Sequence, residues 1–168
     1  MPLLATNNKA NATPARVNLT TTAVSQLSLT AATATLRRAF IYEFDVGADG
    51  APNATDCAIM WDLSKQTSLG TGVSMTLNPL DQSDAGTGTP GSIGTANYTI
   101  EPIVASPTTG VASLWILAAN QRASYRWVVN PGGPGELVVP AVNVTGLVIR
   151  ALSPTYASTV IVQMFFRE

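Results

Sequence analysis

Short segments of strand-forming residues follow one another along this chain of 168 residues, and they limit the possible folds more than any other feature. Most are rich in Thr, Val, Ile, Leu or aromatic residues, whose side chains suit a pleated sheet. Gly and Pro separate the segments, as expected for turns. We predict strands at 17–30, 38–46, 57–63, 72–77, 96–104, 111–118, 123–129, 136–149 (two strands) and 156–167.

Several of these segments alternate along the chain, which indicates strands with one buried face. Strict alternation over 38–46 groups Phe40, Tyr42, Phe44 and Val46 on one face. The segment 57–63 groups Cys57, Ile59, Trp61 and Leu63, and the segment 72–77 turns Val73, Met75 and Leu77 inward. A helix competes with a strand only at 111–122, where Ala, Leu and Gln favour it.

The predicted fold class is all-β, because many short strands with turn residues between them are typical of a sandwich or a barrel. We expect an antiparallel β-sandwich, with a jelly roll as its expected version. Residues 1–16 are small and polar and contain Pro2 and Pro14, so they predict an extended N-terminal arm that is ordered only if something holds it. Residues 17–168 then form a single sandwich domain, which the chain length allows.

Charged and catalytic residues are scarce. The chain has no His, one Cys and 11% charged residues, where an ordinary domain has about 25%. His is the usual proton-transfer group near neutral pH and a common metal ligand, so we predict no enzyme and no cofactor. A net charge of −1 provides no basic surface for nucleic acid. No apolar run is long enough for a membrane span, and the first residues do not resemble a secretory signal.

The low charge also predicts a surface built from Thr, Ser, Ala, Asn and Gly. Such a surface is desolvated at little cost, because few charges must lose their water. This property suits a subunit that is packed among neighbours. A neutral monomer that tolerates its composition is the alternative.

Two segments resemble ligand loops. The glycine-rich segment 86–94 lacks the flanking strand, the helix and the Lys of a phosphate-binding loop, so we interpret it as a surface loop. Asp45–Asp56 resembles part of a calcium loop, but its third position is Gly47 and no helices flank it. A turn that uses the preferences of Asp and Gly explains the same residues.

Catalytic pairs can be drawn from the remaining polar residues, but nothing marks any of them. A Ser nucleophile would need Lys9 or Lys65 as its base, because there is no His. Paired carboxylates for glycoside hydrolysis would have to come from Glu43, Asp45, Glu101 and Glu136. On an exposed face such carboxylates only keep the surface soluble.

Aromatic residues and arginines are interleaved after Trp115. Arg122, Tyr125, Arg126 and Trp127 follow it, and an arginine over an aromatic ring is a favourable contact used in sugar and protein recognition. The alternative is that the tryptophans fill the core and the arginines cover it.

The arm 1–16, the polar segment 78–95 and the terminal segments ELVVPA and TVIVQMFFRE together resemble the decoration, or cement, proteins of tailed-bacteriophage heads. The resemblance implies a virion protein that is assembled in the host cytoplasm and binds the exterior of a lattice of major capsid protein. It also implies a dimer or trimer, with the arm and the segment 78–95 as contact surfaces. Our candidate contact residues are Leu3, Leu4, Asn7, Lys9, Arg16, Asp81, Asp84, Arg122, Tyr125, Arg126 and Trp127.

Two other functions fit the same sequence. A carbohydrate- or receptor-binding sandwich, such as a viral fibre head, would need an exposed aromatic platform. A small β-barrel enzyme would lose its activity when one acidic residue is changed.

Overall fold

The computed structural model describes residues 2–9, 18–81, 91–104 and 113–168. Within these ranges the chain forms strands and contains no helix. The strands are β1 (Leu3–Asn7), β2 (Val24–Ala31), β3 (Ala39–Ala48), β4 (Ala58–Gln66), β5 (Thr71–Met75), β6 (Asn78–Pro79), β7 (Ser92–Ile100), β8 (Ser113–Asn120), β9 (Ser124–Val128), β10 (Leu137–Val139), β11 (Gly146–Leu152) and β12 (Val160–Arg167).

Two antiparallel sheets pack face to face. Sheet A has the order β10-β3-β12-β1-β6, with β9 also paired to β3, and sheet B has the order β5-β7-β2-β11-β4-β8. The all-β, antiparallel β-sandwich prediction is confirmed, and its jelly-roll version stays a prediction. The helix considered at 111–122 is wrong, because β8 occupies Ser113–Asn120.

The core lies between the sheets, and each central strand contributes every second side chain to it. Strand β12 buries Val160, Val162, Met164 and Phe166. Strand β4 buries Ile59, Trp61 and Leu63, as the sequence predicts, and Cys57 packs half-buried beside them. Each large apolar side chain buried in this way contributes roughly 1.5–3 kcal/mol.

A β-bulge in β3 overturns the strict alternation predicted for this strand. Phe165 of β12 lies opposite Glu43, but the next residue, Phe166, lies opposite Ile41, so Tyr42 is the extra residue. The extra residue reverses which side chains face the core on the two sides of the bulge. Ile41 therefore faces the core together with Phe44, whereas Phe40 lies on the outer surface beneath the Arg167 guanidinium, 4.3 Å from the ring centroid.

Val73, which the sequence turns inward, is 37% exposed on the edge strand β5. The register between β5 and β7 shifts between Thr71 and Val73, next to Asn97, whose φ is 52°. Met75 and Leu77 do pack against the core. Val73 lies opposite the core residue Ala96 and shares the inner face with Met75, but it is not buried there, while the prediction for the other two is confirmed.

The first residues of the predicted arm are held by the chain's own sheet. Strand β1 pairs along its length with β12, and Asn8 extends the pairing by accepting a hydrogen bond from the Val162 amide at 2.9 Å. The segment that joins β1 to the rest of the sandwich, residues 10–17, lies outside the described residues. The domain boundary predicted after residue 16 stays a prediction.

Candidate interaction surface

Strand β8 forms an open edge of sheet B. It is hydrogen-bonded to β4 on one side, and no strand in the described ranges pairs with its other side. The N–H and C=O groups that point to the open side can therefore accept another strand. The eight residues of β8, SLWILAAN, include no ionisable side chain and no Pro.

The burial along β8 alternates at each residue, so its side chains divide between the core and the surface. Trp115, Leu117 and Ala119 pack against the core. Leu114 and Ile116 are exposed by 41% and 62%, and Met60 on the neighbouring strand is exposed by 44%. We call the surface formed by Met60, Leu114, Ile116 and Ala118 the apolar strip. It lies on the outer face of sheet B beside the open edge.

The other sheet edges in the described chain are short or carry residues that hinder strand addition. Strand β6 has two residues and ends at Pro79, and β10 has three residues followed by Pro140. Strand β5 has five residues and a register shift, and β9 carries Arg126. Proline, charge and irregularity are the usual protection of an edge. Strand β8 contains no proline and no charge and is longer than the others. A register shift opposite Leu63 and Ser64 leaves Leu114 as an extra residue near its start, and its pairing is regular from Trp115 to Asn120.

The aromatic and arginine residues predicted as a binding patch fill the core and cover it. Phe44 stacks on Trp127 with the ring centroids 5.1 Å apart, and it packs edge-to-face with Trp115 at a centroid distance of 5.2 Å. Tyr125 packs on Trp115 at 5.3 Å. The rings are thus used between the two sheets, which is the alternative that the sequence leaves open.

The two arginines of this segment lie at the surface in ion pairs. The Arg126 Nε donates to Glu43 at 2.6 Å, and this hydrogen bond raises the pKa of Arg126. The Arg122 Nε donates to Asp56 at 2.7 Å, which lowers the pKa of that carboxyl. Asp56 is the last residue of the segment that resembles a calcium loop. Its carboxylate is already engaged by the Arg122 guanidinium.

The carboxylates considered for hydrolysis have structural partners instead of facing each other across a cleft. Glu101 accepts a hydrogen bond from the Ser25 amide at 2.9 Å, and Glu136 binds Arg167. Asp45 lies 4.0 Å from Arg126, and burial is the main cause of its raised pKa. The described residues include no group of three or more His, Cys, Asp or Glu that could hold a metal ion.

A cleft of about 590 Å³ opens where the end of β10 approaches the ends of β4 and β11. Its walls are mainly apolar, and Lys65 and Thr145 are among its polar lining residues. Glu136 also lines it but is engaged by Arg167. Because Leu114 belongs to both features, the cleft continues the apolar strip around the start of β8.

The candidate contact residues fall into two groups at opposite edges of sheet A. Leu3 is at the surface, and the Leu80 amide donates to its carbonyl at 2.9 Å, which brings Asp81 close to it. Of the other residues in this group, Leu4 is buried, Asn7 is half-buried and Lys9 is exposed. Arg122, Tyr125, Arg126 and Trp127 lie at or beside β9, on the other edge. Arg16 and Asp84 lie outside the described residues.

Sequence reasoning missed the apolar strip. Its signal was an eight-residue run without charge, but the same run could equally have been a buried central strand. Only the strand order shows that β8 is an edge.

The Glu136–Arg167 pair predicts an acid-dependent stability. Arg167 donates to Glu136 at 2.8 and 2.6 Å and the Gly132 amide donates at 2.7 Å, and the arginine is the main cause of the lowered pKa of Glu136. A pKa below its unfolded value stabilises the folded state above that value, and the stabilisation is lost as the pH falls through the folded pKa. Thermal melting of wild type and Glu136→Gln should therefore differ most near neutral pH and converge in acid. A difference in Tm between the two proteins that is the same at all pH values would contradict a stabilisation that comes from the lowered pKa of Glu136.

Comparison with known proteins gives no relative: no family model, no curated protein and no solved structure matches the chain. Among the described residues, no helix has the length and apolar character needed to cross a bilayer.

Proposed function

We propose that this protein is a structural virion subunit that binds and stabilises an assembled capsid lattice, as a decoration or cement protein does. The observation that carries the proposal is the open edge of β8 with the apolar strip beside it. A long, uncharged edge next to exposed apolar side chains is a site for strand addition and apolar contact. It requires no catalytic group.

The composition supports the same function. With 11% charged residues, the surface loses little favourable hydration when it is covered by neighbours. Several charged side chains are neutralised within the chain, as in the Arg126–Glu43 and Arg167–Glu136 pairs. In a lattice, many weak contacts of this kind add up through multivalency.

A carbohydrate- or receptor-binding module is the alternative. Such a module would present aromatic rings to solvent, whereas Trp115, Tyr125 and Trp127 stack between the sheets and pack against the core. Binding to a glycan array, lost on changing Trp127 but not on changing Ile116, would favour this alternative over a capsid subunit.

Co-sedimentation tests the proposal with shells assembled from the major capsid protein of the genome that encodes this chain. We expect the chain to pellet with assembled shells at a fixed ratio and not to bind the unassembled capsid protein. Ile116→Lys should weaken shell binding, because it places a charge in the apolar strip. Ile100→Lys is the matched control, because Ile100 is exposed by 64%, close to the 62% of Ile116, but lies at the end of β7.

Two results would count against the proposal. Wild-type protein that stays in the supernatant with assembled shells would contradict capsid binding. Equal loss of binding in Ile116→Lys and Ile100→Lys would show that the apolar strip is not the contact.

A further inference from the structure

We infer that the open edge of β8 pairs with the β8 of a second copy of this chain, antiparallel, about a two-fold axis perpendicular to the sheet. The inference rests on the proposed function, because it names a partner for the same edge. It joins two six-stranded sheets into one continuous sheet across the dimer. The contact is isologous, so it closes on itself and leaves neither copy with an open β8 edge.

Backbone geometry makes another strand the natural partner for this edge. From Trp115 to Asn120, where the pairing with β4 is regular, every second residue of β8 directs its N–H and C=O away from β4, and an antiparallel neighbour satisfies both groups. A two-fold axis perpendicular to the sheet keeps the core faces of both copies on one side. The core-facing residues Trp115 and Leu117 of each copy then lie over a continuous core, and the apolar strips lie together on the opposite face.

The absence of charge on β8 is the reason to infer a second copy of this chain as the partner. Like charges that face each other across a strand pair destabilise it, and charged edge residues are a common means of preventing self-pairing. Residues 113–120 carry no charge, so no like charges are opposed in any register of two β8 strands. A subunit present in many copies meets itself constantly. An edge meant only for a foreign strand would need charge or proline against that encounter, and residues 113–120 contain neither.

The apolar strip adds a contact between side chains to the backbone pairing. Ile116 lies near the middle of β8 and is more exposed than Met60 and Leu114, so its copies in the two chains approach each other across the axis. Leu114 and Ala118 flank it on the same face. Covering these side chains removes apolar surface from water, which favours association.

Sedimentation equilibrium of the isolated chain tests this dimer. Wild type should have twice the 17.5 kDa chain mass at protein concentrations of about 0.1 mM. Ile116→Lys opposes two ammonium groups near the axis and should weaken dimerisation at least tenfold, or about 1.4 kcal/mol. Ile100→Lys, with the same change at similar exposure, should remain dimeric. Circular dichroism and thermal melting check that each variant folds, and Leu114→Lys replaces Ile116→Lys if that variant does not.

Amide hydrogen exchange locates the contact independently of any substitution. Dilution from dimer to monomer should speed exchange in 113–120 and leave β5, at the other edge of sheet B, unchanged. Four results would overturn the inference. They are a monomeric wild type, a trimer, a dimer that is not weakened by Ile116→Lys or Leu114→Lys, and exchange in 113–120 that does not depend on concentration.

The dimer and the proposed function fail separately. The dimer is measured on the isolated chain with no shells present. A monomeric chain that still pellets with shells would contradict the dimer and support the capsid function. A dimeric chain that never pellets with shells would support the dimer and contradict the capsid function.

Discussion

Phe44→Ala should lower the free energy of unfolding by about 3–5 kcal/mol, the usual cost of deleting a buried aromatic side chain. Phe44 is fully buried in β3, and its ring contacts Trp127 of β9 and Trp115 of β8. The ring therefore connects the middle of sheet A to the edge strand of sheet B. Removing it leaves a cavity under β8 as well as losing apolar contact.

Urea unfolding followed by tryptophan fluorescence measures this loss, and Phe40→Ala is the matched control. Phe40 lies four residues earlier in the same strand, on the outer face beneath Arg167. Strict alternation would give the two phenylalanines the same environment, but the bulge at Tyr42 separates them. We expect a clearly smaller loss for Phe40→Ala. Equal losses would contradict the bulge and the position of Phe44 in the core.

Asp62→Asn should cost about 3–5 kcal/mol, because it leaves the largely buried Arg150 guanidinium without a charged partner. Asp62 lies on β4 and Arg150 directly opposite on β11. The Arg150 Nε donates to Asp62 at 3.0 Å, and the Ser64 hydroxyl lies within 2.8 and 2.9 Å of both carboxylate oxygens. The pair is therefore satisfied from two directions in a site with little water.

A double-mutant cycle separates this pair from ordinary packing. Replacing both partners by apolar residues, Asp62→Leu with Arg150→Met, should be less destabilising than Asp62→Asn alone, because no unpaired charge remains. The exposed pair of Asp56 and Arg122 is the control, and Asp56→Asn should change stability little because solvent screens that pair. Losses at Asp62 and Arg150 that simply add would contradict a coupled pair.

The local pattern of the sequence predicts much of the fold. Alternation places the core residues of β4 correctly, because strands that bury one face keep a period of two. It fails at Phe40, where a bulge adds a residue that the pattern does not mark, and it does not show that the inward-facing Val73 stays exposed at a sheet edge. The short strand β1 was predicted as an arm, because five residues among small polar neighbours carry little strand signal.

The interaction surface could be predicted only in part. The absence of charge in 113–120 is visible in the sequence, but the open edge depends on which strands pair, and that order is set by contacts between distant segments. The same limit applies to Asp62 and Arg150, which lie far apart in the chain and meet only because β4 and β11 are neighbours. The class of function stays a prediction from composition, and the fold supplies the position of the candidate surface.

Quantitative mass spectrometry of purified virions tests the central claim most directly. The particles are those produced by the genome that encodes this chain, freed of unassembled protein by density-gradient centrifugation. The account predicts that the chain is present in a fixed ratio to the major capsid protein and is retained in washed particles. Finding it abundant in the lysate but absent from intact particles would contradict a structural role in the virion.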